Sequence, residues 1–273
     1  FDIPGTYTCC GNNYKTGCQR MRLDGVLFLA SNTARAQAYA QALAARELTI
    51  ATCLIFDKQG SMQVGKSENL TSHSQDLPDL FLPDLTIPVV QSCQVICEDV
   101  QLLPTTDIND PQILKAIAGI APKLVIYAGY GGQILSPELL QQAPAFLHVH
   151  AGYLPAYRGS TTVYYSLLKE NRCGVSAFLL RPDIDMGPIV ARKHYPAPPA
   201  KLDIDYLYDS AIRADLLVSV LEHWHEHGGF EMISQQDTES GDTYYIIHPL
   251  LKHISILSLD SVESGIQDNC DQS

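Results

Sequence analysis

"DGVLFLASNTARAQAYAQALAARELTIATCLIFD", Asp24 to Asp57, decides the architecture. Gly25 to Ala30 is a short apolar run of the kind that forms a strand buried on both faces. Ser31 or Asn32 can cap a following helix, and the alanine-rich stretch to about Ala45 has strong helix propensity. Thr49 to Phe56 reads as a second strand. Strand, helix and strand in so short a stretch form a βαβ unit, which needs a crossover and therefore a parallel sheet. The expected fold class is α/β, a doubly wound and mostly parallel sheet with helices on both faces.

Upstream, residues 1–24 lack a period and are rich in Gly, Asn, Cys and Tyr, so an irregular N-terminal arm is expected there. Downstream, Lys58 to about Asp84 is polar and proline-punctuated, a surface loop. Regular alternation returns with "DPQILKAIAGIAPKLVIYAGYGGQILSPELL" at Asp110 to Leu140. It implies a helix from Pro111 to about Ala118, a strand from Leu124 to Ala128, and a short helix opened by Ser136-Pro137. Phe146 to His150, Val175 to Leu180 and Ile189 to Tyr195 read as further strands, with a helix near Thr161 to Lys169. A long helix is expected from about Asp205 to His227, because Leu207, Ala211, Ala214, Val218 and Leu221 fall on one face. Gly228-Gly229 ends it. Domain boundaries follow: an arm over 1–24, a catalytic domain over 25–228, and an extension over 229–273 with a short helix plus tail.

Composition narrows the function. Of 273 residues 46% are hydrophobic and 18% charged, a globular balance. A net charge of −12 from only 18 Lys and Arg argues against a nucleic-acid partner, since phosphates need clustered cations. Apolar runs such as Val26 to Ala30 are far too short to cross a bilayer, so no membrane partner is expected. The eight cysteines contain no Cys-x-x-Cys pair. Cys53 in its apolar run behaves as a small hydrophobe, and a zinc or disulfide role for Cys9, Cys10 and Cys18 ranks below scattered reduced thiols. A cytoplasmic protein is the expectation.

Ligands of open parallel sheets bind beyond the carboxyl ends of the strands. Three segments leave strands with chemically useful residues: "AGYGGQIL" at 128–135, "HVHAGYLPAYRGS" at 148–160 and "RPDIDMGPI" at 181–189. The turn after the first strand, "ASNTARA", lacks the glycines of a dinucleotide site, and "GYGG" at 129–132 continues to Ile134 where a third glycine would stand. His148 and His150 share a strand face because alternate residues do. Asp185 follows another apolar strand and precedes the tight Gly187-Pro188 turn, which would aim its carboxylate across the sheet edge. A carboxylate beside an imidazole fixes its tautomer and suits proton transfer near neutral pH. The residues by themselves say acid–base chemistry on a small molecule. The histidines of "EHWHEHGG" at 222–229 sit at a helix C-terminus, where the dipole favours them without a metal.

Together these segments resemble the folate-dependent formyltransferases. "HVHAGYLPAYRGS" is similar to that family's Asn-x-His, Leu-Pro and Tyr-Arg-Gly signature, "DIDMGPI" to its Asp-x-Gly-Pro-Ile loop, and "PKLVIYAGYGGQIL" to its folate-lining strand and turn. The resemblance runs from about Gly25 to Leu221. It implies a Rossmann-like core and an N-formyltransferase that uses 10-formyltetrahydrofolate as co-substrate. It also implies His150, Asp185 and His148 as the catalytic set, with His150 stabilising the oxyanion and shuttling protons and Asp185 orienting a water. His148 stands where the family has an asparagine that donates a hydrogen bond to the formyl oxygen, and a ring N–H can still donate. By similarity Tyr130, Gly131, Gln133, Ile134, Leu135, Arg181, Asp183 and Ile184 hold the folate. Tyr157 and Arg158 are the substrate-binding candidates, Arg158 either contacting an anionic group or bracing its loop. No metal is implied.

The implied acceptor is a small-molecule amine, most readily an amino sugar, free or nucleotide-linked. A ribonucleotide or amino-acid derivative is the alternative acceptor, and a binding protein that kept the fold without the chemistry is the alternative class. A homodimer is compatible with all of these.

Overall fold

The computed structural model describes residues 20–58, 77–183, 185–233 and 241–267. Strand β1 (Met21–Ala30) is followed by α1 (Ala34–Ala45), β2 (Leu48–Phe56), α2 (Val89–Ile96) and β3 (Asp99–Leu103). Next come α3 (Pro111–Ile120), β4 (Leu124–Ala128), α4 (Pro137–Leu140), β5 (Phe146–His150), β6 (Tyr157–Gly159) and α5 (Thr162–Glu170). The chain continues through β7 (Arg172–Leu179), β8 (Ile189–Pro196), a π-turn (Ile204–Tyr208) and α6 (Asp209–His227). It ends with β9 (Asp242–Tyr244) and α7 (Pro249–Gln267).

Seven strands form one sheet in the order β3-β2-β1-β4-β5-β7-β8. The first five are parallel, and β7 and β8 run antiparallel. The expected α/β sheet is therefore mixed and mostly parallel. Alternation along β1 divides the core: Val26, Phe28 and Ala30 pack under α1, α2 and α6, while Leu27 and Leu29 face the layer holding Ile113, Ile117 and Leu139. These five side chains are buried, and each of the four larger ones is worth on the order of 1.5–3 kcal/mol by removal from water.

Several local expectations are corrected. Strand β1 begins at Met21, inside the arm expected over 1–24, because Met21 to Leu23 pair with Leu48 to Ile50 before a bulge. The cap of α1 is Thr33, whose hydroxyl accepts the Ala36 N–H, and not Ser31 or Asn32. Helix α2 and edge strand β3 were not anticipated. The extension over 229–273 holds strand β9, and its helix α7 spans 19 residues and is not short. Helix α7 packs on α5, with Ser255 reaching the Tyr164 carbonyl and Lys252 paired with Asp205. Cys9, Cys10 and Cys18 lie outside the described residues; Cys53, Cys93, Cys97 and Cys173 are free and buried. No described helix is long and apolar enough to cross a membrane.

The direction of β7 shapes everything that follows. Helix α5 is only nine residues, and Asn171 in a left-handed conformation turns the chain straight into β7. β7 runs back beside β5, pairing His150 with Ser176 and Leu147 with Leu179.

Candidate active site

His148 and His150 project from the same face of β5. His150 is buried, and its Nε2 faces the carbonyl oxygen of Tyr157 at 2.8 Å. A carbonyl only accepts, so Nε2 carries the proton, and Nδ1 faces Asp185 Oδ2 at 3.9 Å. Burial lowers the His150 pKa, and the Asp185 carboxylate opposes that shift without cancelling it. The turn after β5 is built around this ring. A Cβ at Gly152 would lie 2.5 Å from His150 Nε2 and 2.3 Å from the Tyr157 oxygen, so only glycine fits. Ser176 on β7 locks the turn, donating to the Gly152 carbonyl at 2.8 Å and accepting the Leu154 N–H at 2.9 Å.

The loop that carries Asp185 leaves β7 beside Leu147 and re-enters the sheet at Ile189 opposite Phe178, because β7 is antiparallel. Asp185 reaches His150 at the carboxyl end of β5 and adopts φ 52°, a left-handed conformation that aspartate tolerates. Asp185 Oδ2 accepts the Gly159 N–H at 2.8 Å. Gly159 has φ +95°, and a Cβ there would sit 2.1 Å from the Tyr244 oxygen of β9. The C-terminal extension thus holds the amide that holds Asp185.

His148 is half-buried between the rings of Tyr127 and Phe178, at centroid distances of 5.8 and 5.7 Å. Its Nδ1 faces the Tyr127 carbonyl oxygen at 3.4 Å, which favours the tautomer with the proton on Nδ1. Burial, then Arg35, Arg213 and His150, keeps its pKa well below the usual histidine value. The neutral ring therefore presents a lone pair on Nε2, the opposite polarity to the donor expected at this position.

A cavity of about 150 Å³ opens beside His148 and Asp185. Tyr130, Gly131, Gln133, Ile134 and Leu135 line one side, and Arg181 and Asp183 line the other. All seven were expected to bind the folate; Ile184, the eighth, lies outside the described residues. Gln133 donates to the Thr106 carbonyl at 2.6 Å, and its Oε1 is buried without a partner among the described residues. An acceptor fixed in this way suits a ligand that presents N–H groups.

Other expected residues stand elsewhere. His150 does not line the cavity but lies behind Asp185. Tyr157 and Arg158 are buried away from it: the Tyr157 hydroxyl donates to Glu170 at 2.6 Å, and its ring stacks on Tyr244. Tyr157 serves the site through its backbone oxygen, and Arg158 is a buried residue of β6. Among the described residues no group of three or more His, Cys, Asp or Glu is placed to hold a metal. In α6 the His223 and His227 rings stack at 4.1 Å.

Five lining residues, Arg35, Tyr127, Gly132, Leu180 and Pro182, were not singled out from the sequence, and the first two carry polar groups into the wall. Arg35, from the first turn of α1, donates through Nη2 to the Gly129 carbonyl, and Tyr127 folds its phenol over the same glycine. Both meet at the point where the strand order reverses between β1 and β4, the general ligand position of such sheets. That rule was the available signal: Arg35 follows the first strand by one turn.

A family model described as formyl transferase matches residues 26–216. The methionyl-tRNA formyltransferase of Chloroflexus aurantiacus is 33% identical over 144 residues, 51% of this chain and 46% of that protein. The methionyl-tRNA formyltransferase of a Synechococcus species is 34% identical over 147 residues, 53% of this chain and 44% of that protein. The chain spans about half the length of these curated relatives. Among solved structures, a sugar N-formyltransferase from a Shewanella species superposes with a TM-score of 0.50 at 17% identity, covering 88% of this chain and 87% of that one. A phosphoribosylglycinamide formyltransferase from Bacillus halodurans gives 0.52 at 16% identity, covering 76% and 97%. At such identities the structural likeness shows a shared fold.

Proposed function

The chain belongs to the formyl transferase family, and on that premise we propose that it moves a formyl group from 10-formyltetrahydrofolate to the primary amine of a small molecule, an amino sugar, free or nucleotide-linked. The observation that carries this reading is the Asp185 carboxylate at the cavity wall, 3.9 Å from the His150 ring.

Amine attack on a formyl carbon needs a group that takes a proton from nitrogen as the new bond forms. Asp185, with its Oδ2 already positioned by Gly159, receives that proton directly or through one water. His150 acts behind it: Nδ1 is its free nitrogen and faces the carboxylate, so the proton can be shared between the two. His148 offers the Nε2 lone pair to the N–H of the incoming amine, orienting its own lone pair toward the formyl carbon. Gln133 Oε1 fits the N–H edge of the folate ring system, and Tyr130 to Leu135 with Arg181 and Asp183 form the walls around it.

The small acceptor is favoured by the charge of −12, which repels a polyanion. The likeness to a sugar N-formyltransferase fold is compatible with it. The test is an acceptor panel: amino sugars, their nucleotide-linked forms, a ribonucleotide amine, amino acids and methionyl-tRNA, each with 10-formyltetrahydrofolate, read by mass spectrometry. Formylated amino sugar and stoichiometric tetrahydrofolate are expected. Transfer to methionyl-tRNA alone would replace the acceptor class, and transfer to nothing would overturn the enzyme reading.

A further inference from the structure

The chemistry above builds negative charge on the formyl oxygen; of the two rings expected to meet it, His148 presents a lone pair and His150 does not line the cavity. A donor must come from elsewhere in the cavity wall. The buried polar atoms with no hydrogen-bond partner among the described residues include Arg35 Nε, Tyr127 Oη and Tyr39 Oη. Two of these residues, Arg35 and Tyr127, line the cavity together with His148.

Arg35 is held but not neutralised. Its Nη2 donates to the Gly129 carbonyl, and it makes no ion pair with a carboxylate among the described residues. The nearby Arg213 is different, paired with Asp209 at 3.0 Å. A guanidinium has five N–H donors in a planar fork, so one bond to Gly129 leaves most of them to spend. Tyr127 complements it. Burial pushes the phenol up to about 12, so its hydroxyl keeps its proton throughout the neutral range. Gly129 makes the pairing sterically feasible, since any Cβ there would sit 2.3 Å from the Tyr127 hydroxyl.

We propose that the Arg35 guanidinium and the Tyr127 hydroxyl form the oxyanion hole of this enzyme, taking the donor role that His148 does not fill. The inference rests on the formyl-transfer reading. In the step itself, the amine lone pair attacks the formyl carbon and the carbonyl π pair moves onto oxygen, where Arg35 and Tyr127 hold it. The amine proton passes to Asp185. The oxygen pair then re-forms the carbonyl as the bond to N10 of the folate breaks, and N10 takes up that proton. The products are the N-formyl amine and tetrahydrofolate. Both donors are fixed before the charge appears, which is what makes such a site effective.

The test compares wild type with Arg35→Gln and Tyr127→Phe. Glutamine can keep a donor to the Gly129 carbonyl while removing the charge, so it separates bracing of that turn from donation to the substrate. The probe is a stable dideaza analogue of 10-formylfolate carrying a ¹³C-labelled formyl group. Its carbonyl stretch is read by infrared difference spectroscopy, and kcat and amine KM are measured alongside. Expected for Arg35→Gln are unchanged affinity for the analogue, a carbonyl band at higher wavenumber than in wild type, and kcat lower by about a hundredfold or more at unchanged amine KM. Tyr127→Phe should shift the band in the same direction by less. An unshifted band with kcat within about threefold of wild type would leave formyl transfer standing and overturn the role of Arg35. If wild type fails to bind the analogue, the proposal falls together with the reading beneath it.

Discussion

His150 and Asp185 face each other across 3.9 Å through a single nitrogen, because the other ring nitrogen is committed to the Tyr157 carbonyl. The pair can therefore exchange a proton only along Nδ1 and Oδ2. Removing either partner should abolish nearly all turnover. Asp185→Asn keeps an oxygen for the Gly159 N–H but cannot accept a proton, so a fall of about 10²- to 10⁴-fold in kcat is expected at unchanged folate-analogue affinity. His150→Ala should match it. Asp185→Asn with near-normal single-turnover rates would remove the carboxylate from the proton path.

Gly152 offers a test of placement that leaves every functional side chain intact. A methyl group there would press within 2.5 Å of His150 Nε2 and 2.3 Å of the Tyr157 oxygen, atoms that cannot both withdraw. Gly152→Ala should break the His150–Tyr157 bond, tilt the ring from Asp185 and lower kcat at least tenfold. Its cost in stability should fall near 1–3 kcal/mol, the range for overpacking a fixed site. Thermal unfolding and kinetics on the same preparation would check both. Wild-type kinetics would show that the ring position is not critical.

Legibility in the sequence followed the strength of each local pattern. The apolar run from Val26 to Ala30 and the isolated run from Leu124 to Ala128 are buried on both faces; the second was read to the residue, and the first only at its carboxyl end. β3 was missed because an edge strand need not alternate: Asp99 and Leu102 are exposed and the rest only half-buried. The antiparallel sense of β7 was not visible because strand direction is set by which edge the chain pairs with, a tertiary property that the local pattern does not carry. Arg35 hid in an alanine-rich helix, where its function depends on a glycine ninety-four positions away. The motif segments were different. Seven of eight folate-lining candidates share one cavity, because consecutive residues after a strand end are held together by the chain itself.

Stability should depend on pH through His148. The folded-state pKa lies well below the ordinary 6.5, since burial and the cations Arg35 and Arg213 oppose a charged ring. As pH falls through 6.5, the unfolded chain binds a proton that the folded chain refuses. Folding stability therefore decreases toward acid, by up to about 1.4 kcal/mol per pH unit for each such group, until the folded pKa is reached. His150 is shifted in the same direction and adds to the slope. Melting temperatures between pH 7 and 5 should fall more gently for His148→Asn than for wild type. Parallel curves would mean that His148 titrates normally in the folded protein.

His148 itself separates hydrogen bonding from proton transfer. Its ring fills the space between Tyr127 and Phe178, offers Nδ1–H to the Tyr127 carbonyl, and leaves Nε2 as an acceptor. Asparagine reproduces the donor and the acceptor on one amide but has no basicity near neutral pH. If position 148 only orients the amine, His148→Asn should keep measurable turnover, within about tenfold of wild type. His148→Ala should keep less, because it loses both polar contacts and opens a void between two rings at a cost of about 2–4 kcal/mol. The proton would then travel through Asp185 and His150 alone, and the pH–rate profile of His148→Asn should retain the wild-type acidic limb. The decisive comparison is with His150→Ala. Should His148→Asn prove equally inactive while still folded and still binding a folate analogue, the Nε2 lone pair must be taking the amine proton. His148 and His150 would then titrate as one coupled acid–base unit, and the acidic limb would belong to the pair.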